Sequence, residues 1–211
     1  MRPALALANT FPATAASPQA IHDPAPISTC FGVNIPRAAF TELIGGVSSG
    51  RTGVLLALLQ QVTRQGEFCA LVDVQDMFDP ATAAAAGIEL SRLLWVRCGG
   101  NVDHALKATD LLVRAGGFGM VALDVSSVSA ATIRRIPVAA WFRLRHGAEH
   151  SGAALVVTGE RIEAGSCARL QLGVHRKEVL WSAKLLRGIR SIAERRKWGG
   201  REGVCFDSRA R

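Results

Sequence analysis

The chain has 211 residues, 49% of them hydrophobic and 20% charged, which gives one domain with enough apolar material for a core and excludes a collagen-like or wholly disordered chain. Aromatic residues make up 6% with no tyrosine, which speaks against a nucleic-acid binder built on stacking platforms. The formal charge of +8 is unevenly placed: from Arg176 to Arg211 eleven basic residues face four acidic ones, so a nearly neutral body carries a basic end suited to a polyanion, with DNA the leading candidate, or simply to solvent.

Residues 1–30 hold five of the eight prolines, and their Ala/Leu run is too short and interrupted for a spanning helix. They read as a flexible Pro/Ala-rich lead on a cytoplasmic protein without membrane contact. From Phe31 onward apolar runs alternate with helix-like segments. Thr41 to Gly45 predicts a short strand, and Arg51 to Gln65 repeats apolar residues at helical spacing until Gly66 stops it. Strands are predicted at Phe68–Val74, Leu93–Cys98, Met120–Val125 and Ala154–Thr158, with helices from Pro80 to Gly87, Asp103 to Ala115 and Pro137 to His150. Strands that are apolar throughout, each followed by a helix, imply an α/β fold with a mostly parallel sheet buried on both faces. Ligands in such sheets lie at the carboxyl ends of the strands. Beyond Ala164, Ala168–Leu172, Val179–Trp181 and Ile189–Trp198 predict shorter strands in an antiparallel meander at one edge. The expected organisation is a lead at 1–30, a core at 31–175, and basic strands and tail at 176–211.

The five cysteines are odd in number with no CxxC pair, so neither a disulfide framework nor a zinc site is indicated. His146 and His150 lie one turn apart without a third ligand. The sharpest motif is Gly45-Gly46-Val47-Ser48-Ser49-Gly50-Arg51-Thr52, placed between a strand and a helix. It fits G-x-x-x-x-G-K-[ST] except that Arg51 stands where lysine is expected. In such a loop the glycines let backbone N–H groups wrap a phosphate, the helix dipole favours the anion, and the hydroxyl residue, here Thr52, holds Mg²⁺. Arginine keeps the charge but brings a bulkier planar fork. The alternative is a strand-to-helix turn of the same shape without a ligand. Asp124, ending the MVALDV run, stands where a second carboxylate directed at Mg²⁺ belongs.

The segment Glu42 to Thr52 resembles the phosphate loop of the bacterial RecA recombinases, paired serines included. Gly66 to Pro80 is similar to the strand of that family that ends in Asp-Ala-Glu and continues to Asp-Pro, Gly87 to Trp95 continues the match, and Val121 to Val125 fits its second acidic strand. The resemblance covers about residues 31–175. It implies a RecA-like phosphate-loop fold whose nucleotide site comprises Gly45, Ser48, Ser49, Gly50, Arg51, Thr52 and Asp124, with Thr52 and Asp124 on Mg²⁺ if nucleotide binds.

The departures weaken the catalysis that the resemblance implies. Gln75 stands where the family has the glutamate that activates water, and an amide cannot accept that proton, a loss of about 10²- to 10⁴-fold. Gly159-Glu160-Arg161 lacks the family's nucleotide-sensing glutamine, and Ile162–Cys167 is too short for its long DNA-gripping loop. The chain is most similar to ImuA-type accessory proteins of the bacterial translesion mutasome. That resemblance implies a role in DNA-damage tolerance and the SOS response beside an ImuB-like Y-family polymerase homologue, RecA, an error-prone replicative-type polymerase and DNA, near the nucleoid. ATP with Mg²⁺ is the implied cofactor, or none. Two other expectations stand beside it: an ATP-dependent recombination and repair paralogue of RecA, in which a carboxylate such as Asp76 replaces the lost glutamate, and a SulA-like division inhibitor that binds FtsZ. Arg187, Arg190, Arg195, Arg196 and Lys197 are the expected contacts to DNA or a partner.

Overall fold

The computed structural model describes residues 25–162, 164–182, 185–196 and 203–209. A two-stranded antiparallel ribbon, β1 (Ile27–Ser28) and β2 (Asn34–Ile35), precedes an α/β body. The body runs β3 (Ala39–Ile44), α1 (Arg51–Arg64), β4 (Phe68–Asp73), α2 (Pro80–Ala85), β5 (Leu93–Arg97), α3 (Val102–Ala115), β6 (Phe118–Asp124), α4 (Ala130–Arg134), α5 (Val138–Ser151) and β7 (Ala154–Gly159). Three long strands, β8 (Leu170–Ser182), β9 (Leu185–Arg195) and β10 (Gly203–Arg209), close the sequence of elements. The main sheet has eight strands in the order β10-β9-β8-β3-β7-β6-β4-β5, parallel from β8 through β5 and antiparallel from β8 out to β10.

The central strands are apolar on both faces because helices cover both. Leu43, Leu71 and Met120 pack on one side against Val54, Leu58 and Leu59 of α1, whose spacing places them on a single helical stripe. Phe40, Val72, Val121 and Leu155 pack on the other against Trp141 and Leu144 of α5. This arrangement brings the carboxyl ends of β3, β4, β6 and β7 together at one rim of the sheet.

Three expectations change. Residues 27–30 are not part of a loose lead: Ile27 is buried against the α1 side of the core and Thr29 bonds back to Val33, because the short ribbon covers apolar surface that α1 leaves open. Residues 1–24 lie outside the described residues. At the C-terminal end β8 joins two predicted strands into one, β9 begins four residues before its predicted start, β10 is a strand the sequence did not predict, and Ala168 falls outside β8. Two register shifts, at Arg176/Glu178 and Leu180/Trp181, break the period-two pattern that would have revealed β8 as one strand. β9 ends at Arg195 and lies between β8 and β10, so it is interior and β10 is the edge. Strand β8 also crosses residue 175, carrying the sheet from the core into the basic segment. Among the described residues no helix is long and apolar enough to cross a membrane.

Candidate phosphate-loop site

β3 delivers the chain to Gly45, whose N–H donates to the Gly159 carbonyl at the end of β7 (3.2 Å), so the loop begins fastened to the sheet rim. A Cβ on Gly45 would lie 2.5 Å from Ser49 Oγ and 2.7 Å from the Val174 carbonyl oxygen, leaving no room for a side chain. Gly50, the residue before α1, has φ +93°, and a Cβ there would approach Ser191 Oγ to 2.5 Å. The loop is therefore held from behind by β8 and β9, a support that motif reading did not anticipate. Within it, Ser49 N–H donates to the Gly46 carbonyl (3.2 Å) and Ser49 Oγ accepts from Arg51 N–H (3.3 Å). Ser49 is buried, and Ser48 is exposed at φ +55°.

A cleft of about 570 Å³ opens in front of the loop, lined by residues 46–53, by Asp79, Asp124 and Glu160, and by Ile189 and Ser208 from the C-terminal strands. The structure thus brings Ser48, Ser49, Gly50, Arg51, Thr52 and Asp124 to one cleft, with Gly45 closing its base. Thr52 is exposed there. Arg51 is only 7% exposed; its Nη1 donates to the Gly45 carbonyl oxygen, and its Nε is buried without a partner. Burial pulls the Arg51 guanidinium below its ordinary range, against the opposing attraction of Asp124 and Glu160. Asp124 accepts from Ser126 N–H (2.8 Å) and from Ser126 Oγ. Burial pushes its carboxyl up, although Ser126 and Arg51 pull it the other way, and Asp73 adds repulsion.

Asp73 and Asp124 are register partners on β4 and β6, and Asp73 accepts from Phe78 N–H (2.8 Å) and Trp95 Nε1 (3.3 Å). Sequence reading placed Asp73 at a strand end without a role; the shared apolar-run-then-Asp pattern of FCALVD and MVALD was the available signal. Gln75 is exposed beside Gly100 and is not among the cleft-lining residues. Asp76 also turns elsewhere, accepting from Cys98 and Gly99 N–H and pairing with Arg97 at 3.2 Å.

Among the described residues, the basic side chains expected from the sequence to meet DNA or a partner do not gather into one patch. Arg190 is held between Asp207 (2.8 and 3.1 Å) and Glu178 (3.2 Å). Arg187 is exposed near one end of β9, and Arg195 and Arg196 are exposed at the other, roughly 25 Å away by strand rise. Arg196 stands beside His175, and Lys197 lies outside the described residues.

A glycine-rich loop joining a buried parallel strand to a long helix, at the rim where other strands end in carboxylates, defines a phosphate-loop α/β protein. The residues present fit a nucleotide phosphate with its Mg²⁺: Gly45 and Gly50 let the loop pack directly against β8 and β9 so that it keeps its wrapped shape, Thr52 and Asp124 line the cleft in front of it, and Arg51 Nε is a buried donor lacking an acceptor. Residues 24–137 match the family described as the RecA N-terminal domain, and the chain belongs to that family. It is 39% identical over 100 residues to Protein RecA of Deinococcus radiodurans, a stretch covering 47% of this chain and 27% of that protein. Protein RecA of Psychrobacter arcticus is 35% identical over 100 residues (47% and 28%), and that of Rickettsia canadensis 33% over 90 residues (43% and 26%). The matched stretch thus spans about a quarter of the length of these relatives.

Proposed function

We propose that this protein is a RecA-like accessory factor of DNA-damage tolerance, of the ImuA type, that acts through protein contacts and holds nucleotide with little or no turnover. The observation that carries this reading is the divided state of the site. The cradle keeps its glycines, its cation and an unsatisfied donor, while Gln75 lies outside the cleft and can abstract no proton. Bound Mg²⁺-ATP would rest on residues 45–52, with Thr52 and Asp124 toward the ion, and would stabilise the loop by mass action. A bound nucleotide would supply charge and a fixed phosphate geometry; Arg51, whose Nη1 donates to the Gly45 carbonyl oxygen, would give the loop its cation, and Ser126 holds the Asp124 carboxylate in place.

The partners in this reading are an ImuB-like Y-family polymerase homologue, RecA, an error-prone replicative-type polymerase and DNA, in the cytoplasm at the nucleoid. A second reading, an ATP-hydrolysing recombination paralogue, draws support from Thr52 and Asp124 lining the same cleft. Deleting the gene tests the proposal. Damage-induced mutation frequency should fall while recombination is kept, and the tagged protein should co-purify with the polymerase homologue. Lost recombination with unchanged mutagenesis would favour the second reading. Filamentous growth on overexpression, with direct FtsZ binding, would instead mark a division inhibitor.

A further inference from the structure

The far end of the β8–β9 hairpin projects beyond its neighbours. β10 pairs with β9 only over Gly188–Glu194, and β3 pairs with β8 only over Leu170–Gly173, so residues 181–182 and 185–187 form a two-stranded ribbon among the described residues. Such a ribbon is marginal alone and is expected to carry polar side chains. This one instead exposes Trp181 (62%), Leu185 (65%) and Leu186 (45%), with Trp181 and Leu186 directly opposite each other. Three exposed large apolar residues at one tip exceed the scatter of single hydrophobics on an ordinary surface. Arg187 is exposed within the ribbon, and Arg176 and Lys177 are exposed on β8 roughly 15 Å along the strand from Trp181; none of the three makes an ion pair within the described residues. Glu178, the one acidic residue between 174 and 187, is already taken by Arg190.

We infer that this tip is a docking surface for an acidic segment of a partner protein, whose apolar side chains cover Trp181, Leu185 and Leu186 while its carboxylates meet Arg176, Lys177 and Arg187. The inference rests on the protein-contact reading above and gives it a surface and a partner chemistry. Charge complementarity selects the occupant. A second copy docked through the α3/α5 groove that exposes Phe142 is disfavoured, because that groove is lined by Arg114, Arg143, His146 and His150 and by no carboxylate, and so offers the cations near the tip no partner. Single-stranded nucleic acid would meet the cations but has one stacking ring to use, and it leaves two leucines uncovered. Among the described residues, a segment carrying both apolar and acidic residues matches the exposed apolar side chains and the unpaired cations alike, with Trp181 as the anchor and the cations setting the encounter.

The test is fluorescence anisotropy with the full chain and a fluorescein-labelled peptide in which Leu and Phe are spaced by Glu, alongside labelled oligothymidine of matching length. Binding of the peptide should weaken at least about tenfold in Trp181→Ser/Leu186→Ser and in Arg176→Glu/Arg187→Glu, and should fall as salt rises. These positions are exposed, so an unchanged Tm serves as the folding control. Equal affinity in the wild type and both variants, no peptide binding at all, or oligothymidine binding that the same substitutions abolish would each overturn the inference. Introduced into cells, Trp181→Ser/Leu186→Ser should lower damage-induced mutagenesis as deletion does. Peptide binding at the tip without any mutagenesis phenotype on deletion would sink the accessory reading alone, and a phenotype on deletion that the tip variant leaves intact would sink the docking surface alone.

Discussion

Gly50 and Arg51 are neighbours with opposite demands on the loop. Gly50 is needed for what it lacks: at φ +93° and 2.5 Å from Ser191 Oγ, any side chain is both strained and obstructed. Gly50→Ala should therefore destabilise the protein by about 1–3 kcal/mol in urea unfolding. Gly46→Ala, which meets nothing within 4 Å, should remain within about 0.5 kcal/mol of the wild type. Asp124 gives a test with a sign. Its carboxyl is raised in the folded state, chiefly by burial, so the folded protein binds that proton more tightly than the unfolded chain does. The stability this confers is present at acid pH and is lost as pH rises through the folded-state value. Asp124→Asn keeps an oxygen to accept from Ser126 and removes the buried charge. Its Tm should match the wild type in acid and exceed it at neutral pH, as calorimetry across that range would register. An advantage that instead grew in acid would contradict the burial argument. At this scale the sequence revealed the loop and Asp124, because spacing alone encodes them. It did not reveal the bond from Arg51 to Gly45 or the turn of Gln75 away from the cleft, since side-chain direction depends on what packs around it.

Elements differ in how far their sequences disclose them. β4, β6 and β7 are continuous apolar runs buried on both faces, and α1 repeats its apolar residues on one stripe, so each is legible in isolation. β8 and β9 are not, because bulges interrupt their alternation and their charged residues pair across strands rather than marking a solvent face. The short β1 was hidden among prolines, and only its packing against α1 identifies it. The support that these C-terminal strands give the loop is measurable. Phe206 on β10 is buried, stacks on Phe31 with ring centroids 4.6 Å apart, and lies within 3.4 Å of a Cβ placed on Gly50. Phe206→Ala should cost about 3 kcal/mol in urea unfolding and weaken nucleotide binding as well. Lost stability with unchanged nucleotide affinity would separate β10 from the site.

For the whole molecule, the parallel α/β body and its rim of carboxylates follow from the order of apolar runs and the family they match, whereas partners and activity do not follow from fold. The central claim is that the cradle still takes a nucleotide while hydrolysis has been lost. Titration calorimetry with Mg²⁺-ATP, with phosphate release followed in the same sample, tests it most directly. The account predicts binding that Arg51→Ala abolishes and phosphate release no faster than in a protein-free control. Steady turnover that Thr52→Ala removes would contradict it and identify a working ATPase.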